Sequence, residues 1–142
     1  MDIIFQSIHE DLWPETCMYE VRIKTEFSAA HNLREVGGRC ESLHGHNFTV
    51  EVAVEAESLN EGGMVVDFRL LKEKTRAVMD GLDHRYLNQL PVFEKMNPSS
   101  ENLAAFIFQE LARALDGPSF QVSSVSVWES ETSQAVFRRG RS

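Results

Sequence analysis

The sequence predicts an α+β fold: two helices packed on one face of an antiparallel sheet, in the order β-β-α-α-β-β. Three observations carry this. Apolar and polar residues alternate with period two in segments near the start and near the end. Two segments between them repeat their apolar residues at helical spacing. No linker, internal repeat or run of five like charges divides the 142 residues, so one domain is expected.

Residues 1–17 read as an irregular extension interrupted by Pro14, whose Ile3, Ile4, Phe5, Leu12 and Trp13 suggest docking onto another surface. The domain is expected over 18–142. Tyr19, Val21, Ile23, Thr25, Phe27 and Ala29 alternate with Glu20, Arg22, Lys24 and Glu26, the mark of a strand with one wet face. A loop follows, Asn32 to Leu43, holding Gly37-Gly38. Phe48, Val50, Val52, Val54 and Ala56 form the second alternating run. Asn60 to Gly63 is a turn, followed by the short apolar Met64-Val65-Val66. Asp67 caps a helix whose apolar face is Phe68, Leu71, Thr75, Val78, Met79 and Leu82. Asn97-Pro98-Ser99-Ser100 starts a second helix, with Leu103, Phe106, Ile107, Leu111, Ala114 and Leu115 as its stripe. Asp116-Gly117-Pro118 ends it. Val125, Val127 and Glu129 share one face of a third strand, Ala135 and Phe137 one face of a fourth, and Arg138 to Ser142 form a basic tail.

Composition excludes several classes. With 42% hydrophobic and 25% charged residues the protein is neither disordered nor low-complexity. A net charge of −8 is the wrong sign for general binding of nucleic acid or an anionic membrane. No apolar run approaches the ~20 residues of a membrane span. The acidic start is no secretory signal. Two cysteines are too few for a disulfide scaffold, so the expected setting is cytoplasmic.

Three of the five histidines gather at the mouth of the first strand pair. His31 continues the odd phase of the first strand. His44 and His46 continue the even phase of the second, and an i, i+2 pair on a strand points to one side. Three neutral imidazoles suit Zn2+ with a fourth position open to water or substrate. Cys40, four residues before His44, offers three readings: a fourth ligand that seals the site, a thiol activated by a nearby dication, or a small buried hydrophobe. Cys17 has no such neighbours. Asp83-His84 reads either as a carboxylate orienting an imidazole for proton transfer or as a histidine complementing a helix C-terminus. Glu129, on the inward phase of its strand, needs a partner. That partner is either the protein or a ligand with two parallel N–H donors, such as a pterin or guanine edge.

Taken together, these segments resemble a known family. They are His31, Cys40-Glu41-Ser42-Leu43-His44-Gly45-His46, Gly63-Met64-Val65-Val66-Asp67-Phe68, Leu82-Asp83-His84-Arg85-Tyr86-Leu87-Asn88, Pro98-Ser99-Ser100-Glu101-Asn102 and Val127-Trp128-Glu129. In this order, over about 18–139, they resemble the 6-pyruvoyl-tetrahydropterin synthase / 6-carboxytetrahydropterin synthase family. The resemblance implies a tunnelling fold (T-fold), trimers that close a barrel, and a homohexamer with active sites between subunits. It implies 7,8-dihydroneopterin triphosphate as substrate and zinc on His31, His44 and His46. It implies Cys40 as general base, Asp83 and His84 as its proton relay, Glu129 as anchor of the amino-pyrimidine edge, and Ser99 and Ser100 at the pterin pocket.

Members of this family diverge in product. The four-residue interval from cysteine to the first histidine of His-Gly-His fits the carboxy type, which loses acetaldehyde and serves queuosine and 7-deazaguanine synthesis; the pyruvoyl type has a longer interval. A third type carries glutamate three residues before His-Gly-His and cleaves to 6-hydroxymethyl-7,8-dihydropterin for folate. Here Cys40 and Glu41 stand side by side, so both patterns are present, and Glu41 is either catalytic or a solvated loop charge. A reading of another class is a zinc-containing purine- or pterin-binding module without turnover. For the triphosphate, Arg34, Arg39, Lys72 and Arg85 are the candidate cations.

Overall fold

The structure, a computed structural model, describes residues 17–140. The expected N-terminal extension therefore lies, except for the exposed Cys17, outside the described residues. Strand β1 (Tyr19–His31) and strand β2 (His44–Ala56) form the predicted antiparallel pair, in register from Tyr19 opposite Ala56 to His31 opposite His44. Period two puts Ile23, Phe27, Phe48, Val50 and Val52 on one buried face. Glu20, Arg22, Lys24 and Glu26 take the other, wet one.

Helix α1 (Phe68–Asp80) starts where Asp67 accepts a hydrogen bond from the Arg69 amide at 2.8 Å. Leu71, Thr75 and Met79 face the core, with Leu82 just beyond. Phe68, expected in this stripe, is exposed. Periodicity assigns the sector of a helix, not how far along its axis the covering layer extends. Helix α2 (Ser100–Leu115) is capped by the Ser99 hydroxyl, which accepts from the Asn102 amide. It buries Leu103, Ala104, Ile107, Phe108, Leu111 and Leu115. Phe106 is only half-buried and Ala114 is exposed.

The sheet differs from the predicted antiparallel one in a fifth strand. Strand β3 (Arg85–Tyr86) runs parallel to β1, and with β4 (Gln121–Ser130) and β5 (Ser133–Arg138) the order is β3-β1-β2-β4-β5. Two residues carry no alternation to read. Strand β3 is held instead by the segment before it, where the His84 amide donates to the Ser28 carbonyl and the Ser28 amide to Asp83 Oδ1.

Strand β4 bears two irregularities. Opposite Ala53/Val54 the register slips by one residue, so Val122 joins Val125 and Val127 on the buried face although its number is even. The extra residue, Ser123, donates its hydroxyl to Glu20. Against β5 the register slips again between Trp128 and Ser130, which leaves Glu129 as the unpaired residue. Such bulges re-aim a side chain at the end of a ladder.

Candidate active site

The register of β1 and β2 assembles the histidines. His31 lies opposite His44, and Ala29 opposite His46, so all three rings share the face of Phe27 and Phe48. Ring centroids are 4.6 Å apart for His31–His44, 4.9 Å for His44–His46 and 5.2 Å for His31–His46. One nitrogen from each lies within 4.8 Å of the other two. A tetrahedral ion with bonds of about 2.0–2.1 Å brings ligand nitrogens to roughly 3.4 Å, so a small ring movement closes on a metal.

Two tautomers are set by backbone carbonyls. His31 Nδ1 lies 2.7 Å from the Pro98 carbonyl, and His44 Nδ1 lies 2.7 Å from the Ser42 carbonyl. A carbonyl only accepts, so each Nδ1 carries the proton and each Nε2 keeps its lone pair for a metal. His31 Nε2 is buried without a hydrogen-bond partner among the described residues. Leaving such an atom unpaired costs about 1–3 kcal/mol, a cost that a coordinated ion removes. Burial also holds His31 below the ordinary histidine pKa, despite the Pro98 bond, and the neighbouring His44 and His46 act in the same direction. Burial lowers His46 likewise, against the opposing field of Glu129. Both effects keep the imidazoles neutral, as ligands must be. The three histidines can hold a metal, and the group contains no cysteine. Among the described residues the group has three members, and Cys40 is not one of them.

Cys40 and Glu41 lie on a short 3-10 turn (Gly38–Glu41) in the loop joining the two histidine strands, and both are exposed. Cys40 is thus not a buried hydrophobe. Glu35, Gly37 and Gly38 all take left-handed φ angles of 61–73°, which glycine alone adopts without cost.

His84 Nδ1 lies 2.9 Å from the Asp83 carboxylate, with the His84 side chain 82% exposed. The Ser28 amide holds the Asp83 carboxylate below its usual pKa, with the bond to His84 adding to it. His84, at φ 57°, lines an open hollow with Ser28, Gly45 and Asn47, of the phase turned away from the helices, and with Ala29 and His46, of the phase that faces them. Neither residue of the pair is among the three side chains that gather as a metal-binding group. Nor does His84 complement a helix end, because α1 has already stopped at Asp80.

Glu129 is half-buried, and the Ser100 hydroxyl lies 3.4 Å from its Oε2. Its charge opposes the lowering of the His31 and His46 pKa values. Ser99 spends its hydroxyl on the helix cap. Among the candidate cations, Arg34 is engaged internally: its guanidinium donates to the Phe93, Met96 and Asn88 carbonyls. Arg39, Lys72 and Arg85 stay exposed. Residue-type reasoning missed the Pro98 carbonyl, since a backbone acceptor has no sequence signature beyond the helix start it belongs to.

The family model described as 6-pyruvoyl tetrahydropterin synthase matches residues 20–140. The chain belongs to this family. A relative from Synechocystis, named 6-carboxy-5,6,7,8-tetrahydropterin synthase, is 40% identical over 126 residues, covering 84% of this chain and 93% of its own. One from Pyrococcus furiosus, named dihydroneopterin monophosphate aldolase, is 37% identical over 106 residues, covering 75% and 85%. The solved structure of the Caenorhabditis elegans 6-pyruvoyl tetrahydropterin synthase superposes with a TM-score of 0.79 at 26% identity, over 90% of this chain and 100% of that one. Membership establishes the T-fold and a pterin enzyme. The three names describe different reactions.

Proposed function

We propose that the protein is a zinc-dependent 6-carboxy-5,6,7,8-tetrahydropterin synthase that converts 7,8-dihydroneopterin triphosphate with loss of acetaldehyde and triphosphate. The observation that carries the proposal is the three-imidazole site, joined to a loop that presents Cys40 four residues before His44. His31, His44 and His46 would hold the zinc, which when bound supplies a Lewis acid for the hydroxyls at the reacting end of the substrate. Glu129 accepts two N–H bonds from the amino-pyrimidine edge and so orients the ring, with Ser100 steadying the carboxylate. Cys40 takes the proton from a substrate C–H bond, and the Asp83–His84 pair carries it onward.

Asp83 and His84 are not among the side chains of the metal-binding group, and on this reading they serve the site of another copy, as the between-subunit sites implied by the family resemblance require. Both sheet margins support such an assembly. Among the described residues, β1 is paired on its outer side only at Ala29 and Ala30, and β5 is paired only with β4. Open edges of this length invite pairing with another copy. Such pairing is compatible with the barrel-closing trimers and the homohexamer that the family resemblance implies. No helix among the described residues is long and apolar enough to cross a membrane, and a cytoplasmic setting agrees with the low cysteine content.

A second reading is favoured by Glu41 and by the aldolase name of the Pyrococcus relative. With the carboxylate of Glu41 as base, the substrate is cleaved to 6-hydroxymethyl-7,8-dihydropterin. Mass spectrometry of the products from dihydroneopterin triphosphate decides between them. We expect 6-carboxytetrahydropterin from the wild type and from Glu41→Gln, within about twofold, with any hydroxymethyl product confined to variants that keep Glu41. Hydroxymethyl product alone would move the assignment to the lyase, and bound zinc without turnover to a binding module.

A further inference from the structure

The loop that carries Cys40 has no packing to hold it: every residue from Glu35 to Leu43 is exposed. Hydrogen bonds hold it instead, and two asparagine carboxamides supply the main ones. Asn88 Oδ1 accepts from the Asn32 amide at 2.9 Å while Asn88 Nδ2 donates to the Asn32 carbonyl at 2.8 Å. Asn97 repeats the arrangement on Arg34, accepting from its amide at 2.7 Å and donating to its carbonyl at 3.1 Å. Each carboxamide thus satisfies both backbone groups of one loop residue, as a neighbouring strand would. Between these two clamped residues, the Leu33 amide donates to the Cys40 carbonyl at 2.7 Å. The anchors are themselves fixed. Asn88 is 8% exposed, the Asn97 carbonyl accepts from Asn102 at 2.8 Å, and the next carbonyl, Pro98, is the one that orients His31.

We propose that Asn88 and Asn97 are positioning residues, whose carboxamides set where Cys40 stands relative to the three histidines. Only asparagine fits this task. Aspartate has no donor for the carbonyl, and glutamine is one methylene too long for the two-bond ring. The same frame fixes His31 and the Cys40 loop from one segment, 88–98, so the metal site and the thiol are referenced to a common support. The role given to Cys40 rests on the proposed function; the clamp itself does not.

The test uses the full-length, zinc-loaded protein. Asn97→Ala should lower kcat about 10- to 100-fold, the scale of a misplacement of about 1 Å, and leave KM within about threefold. Asn97→Asp keeps one of the two bonds and should fall between. Because the effect runs through Cys40, Asn97→Ala should cost nothing further in a Cys40→Ala background. A loss of equal size in that background, or a loss confined to KM, overturns the proposal. Hydrogen exchange reads the clamp without turnover. The amides of residues 32–42 should exchange about tenfold faster in Asn88→Ala and Asn97→Ala at unchanged zinc content, and unchanged exchange overturns the clamp. If the wild type does not turn over dihydroneopterin triphosphate, the proposed function fails while the exchange result still decides the clamp.

Discussion

His31, His44 and His46 sit on a continuous two-strand ladder backed by Phe27 and Phe48, whereas Cys40 and Glu41 ride on an exposed turn secured from below by asparagine amides. On the proposed function, the difference follows from what each group does. Metal ligands need mutual distances held to a fraction of an ångström, which strand register supplies without further design. A base must reach a C–H bond of a substrate that enters and leaves, so it belongs on a segment that solvent can reach. Asp83–His84 is a third case: a pair locked to Ser28 that lies outside the group of three histidines.

The comparison can be broken from its firm side first. His31→Ala removes a ligand and empties a buried site, so metal analysis should find less than one zinc per subunit. Turnover should fall by at least about 1,000-fold, since several kcal/mol of charge stabilisation go with the ion. Cys40→Ala should leave the zinc content unchanged and lower 6-carboxytetrahydropterin formation about 100- to 10,000-fold. Zinc lost with Cys40 would mean that the thiol belongs to the metal set. Asp83→Asn retains an acceptor for the Ser28 amide but removes the charge that orients His84. A kcat loss of about 10- to 100-fold is expected, and mixed oligomers of Asp83→Asn and Cys40→Ala subunits should recover activity if the pair serves a neighbouring copy.

The smallest effect concerns pH. Burial holds the folded-state pKa values of His31 and His46 below the ordinary value of about 6.5. In the metal-free protein the unfolded state therefore binds protons that the folded one refuses. Stability should fall as pH drops below about 6.5, and level off only below the depressed folded values. Denaturant midpoints of metal-free wild type and His31→Gln, compared from pH 7.5 to 5, should show a shallower slope in the variant. A parallel pair of curves would mean that His31 contributes nothing to the linkage.

Much of the fold was legible because period two and helical spacing are local signals. The β1–β2 alternation, the Asp67 cap and the Asn97–Ser100 helix start all appear where the residues placed them. The in-phase placement of His31 with His44 and His46 was legible for the same reason. Strand β3 was not, being two residues long and held by a left-handed His84. Neither were the bulges at Ser123 and Glu129, which depend on how the partner strands are offset. Arg34 looked like a phosphate ligand because charge is visible in a sequence and its three carbonyl acceptors are not.

By itself the sequence determined which residues could share a sheet face, which side chains cap the helices, and which residues have metal-binding or acid–base chemistry. These depend on neighbours a few positions away. Tertiary structure alone decided that Glu129 falls at a bulge within reach of Ser100, that Asp83 is locked to Ser28, and that Asn88 and Asn97 grip the loop of Cys40. Those contacts join residues about 30 to 60 positions apart, and no local pattern encodes a contact whose existence depends on how whole elements are stacked.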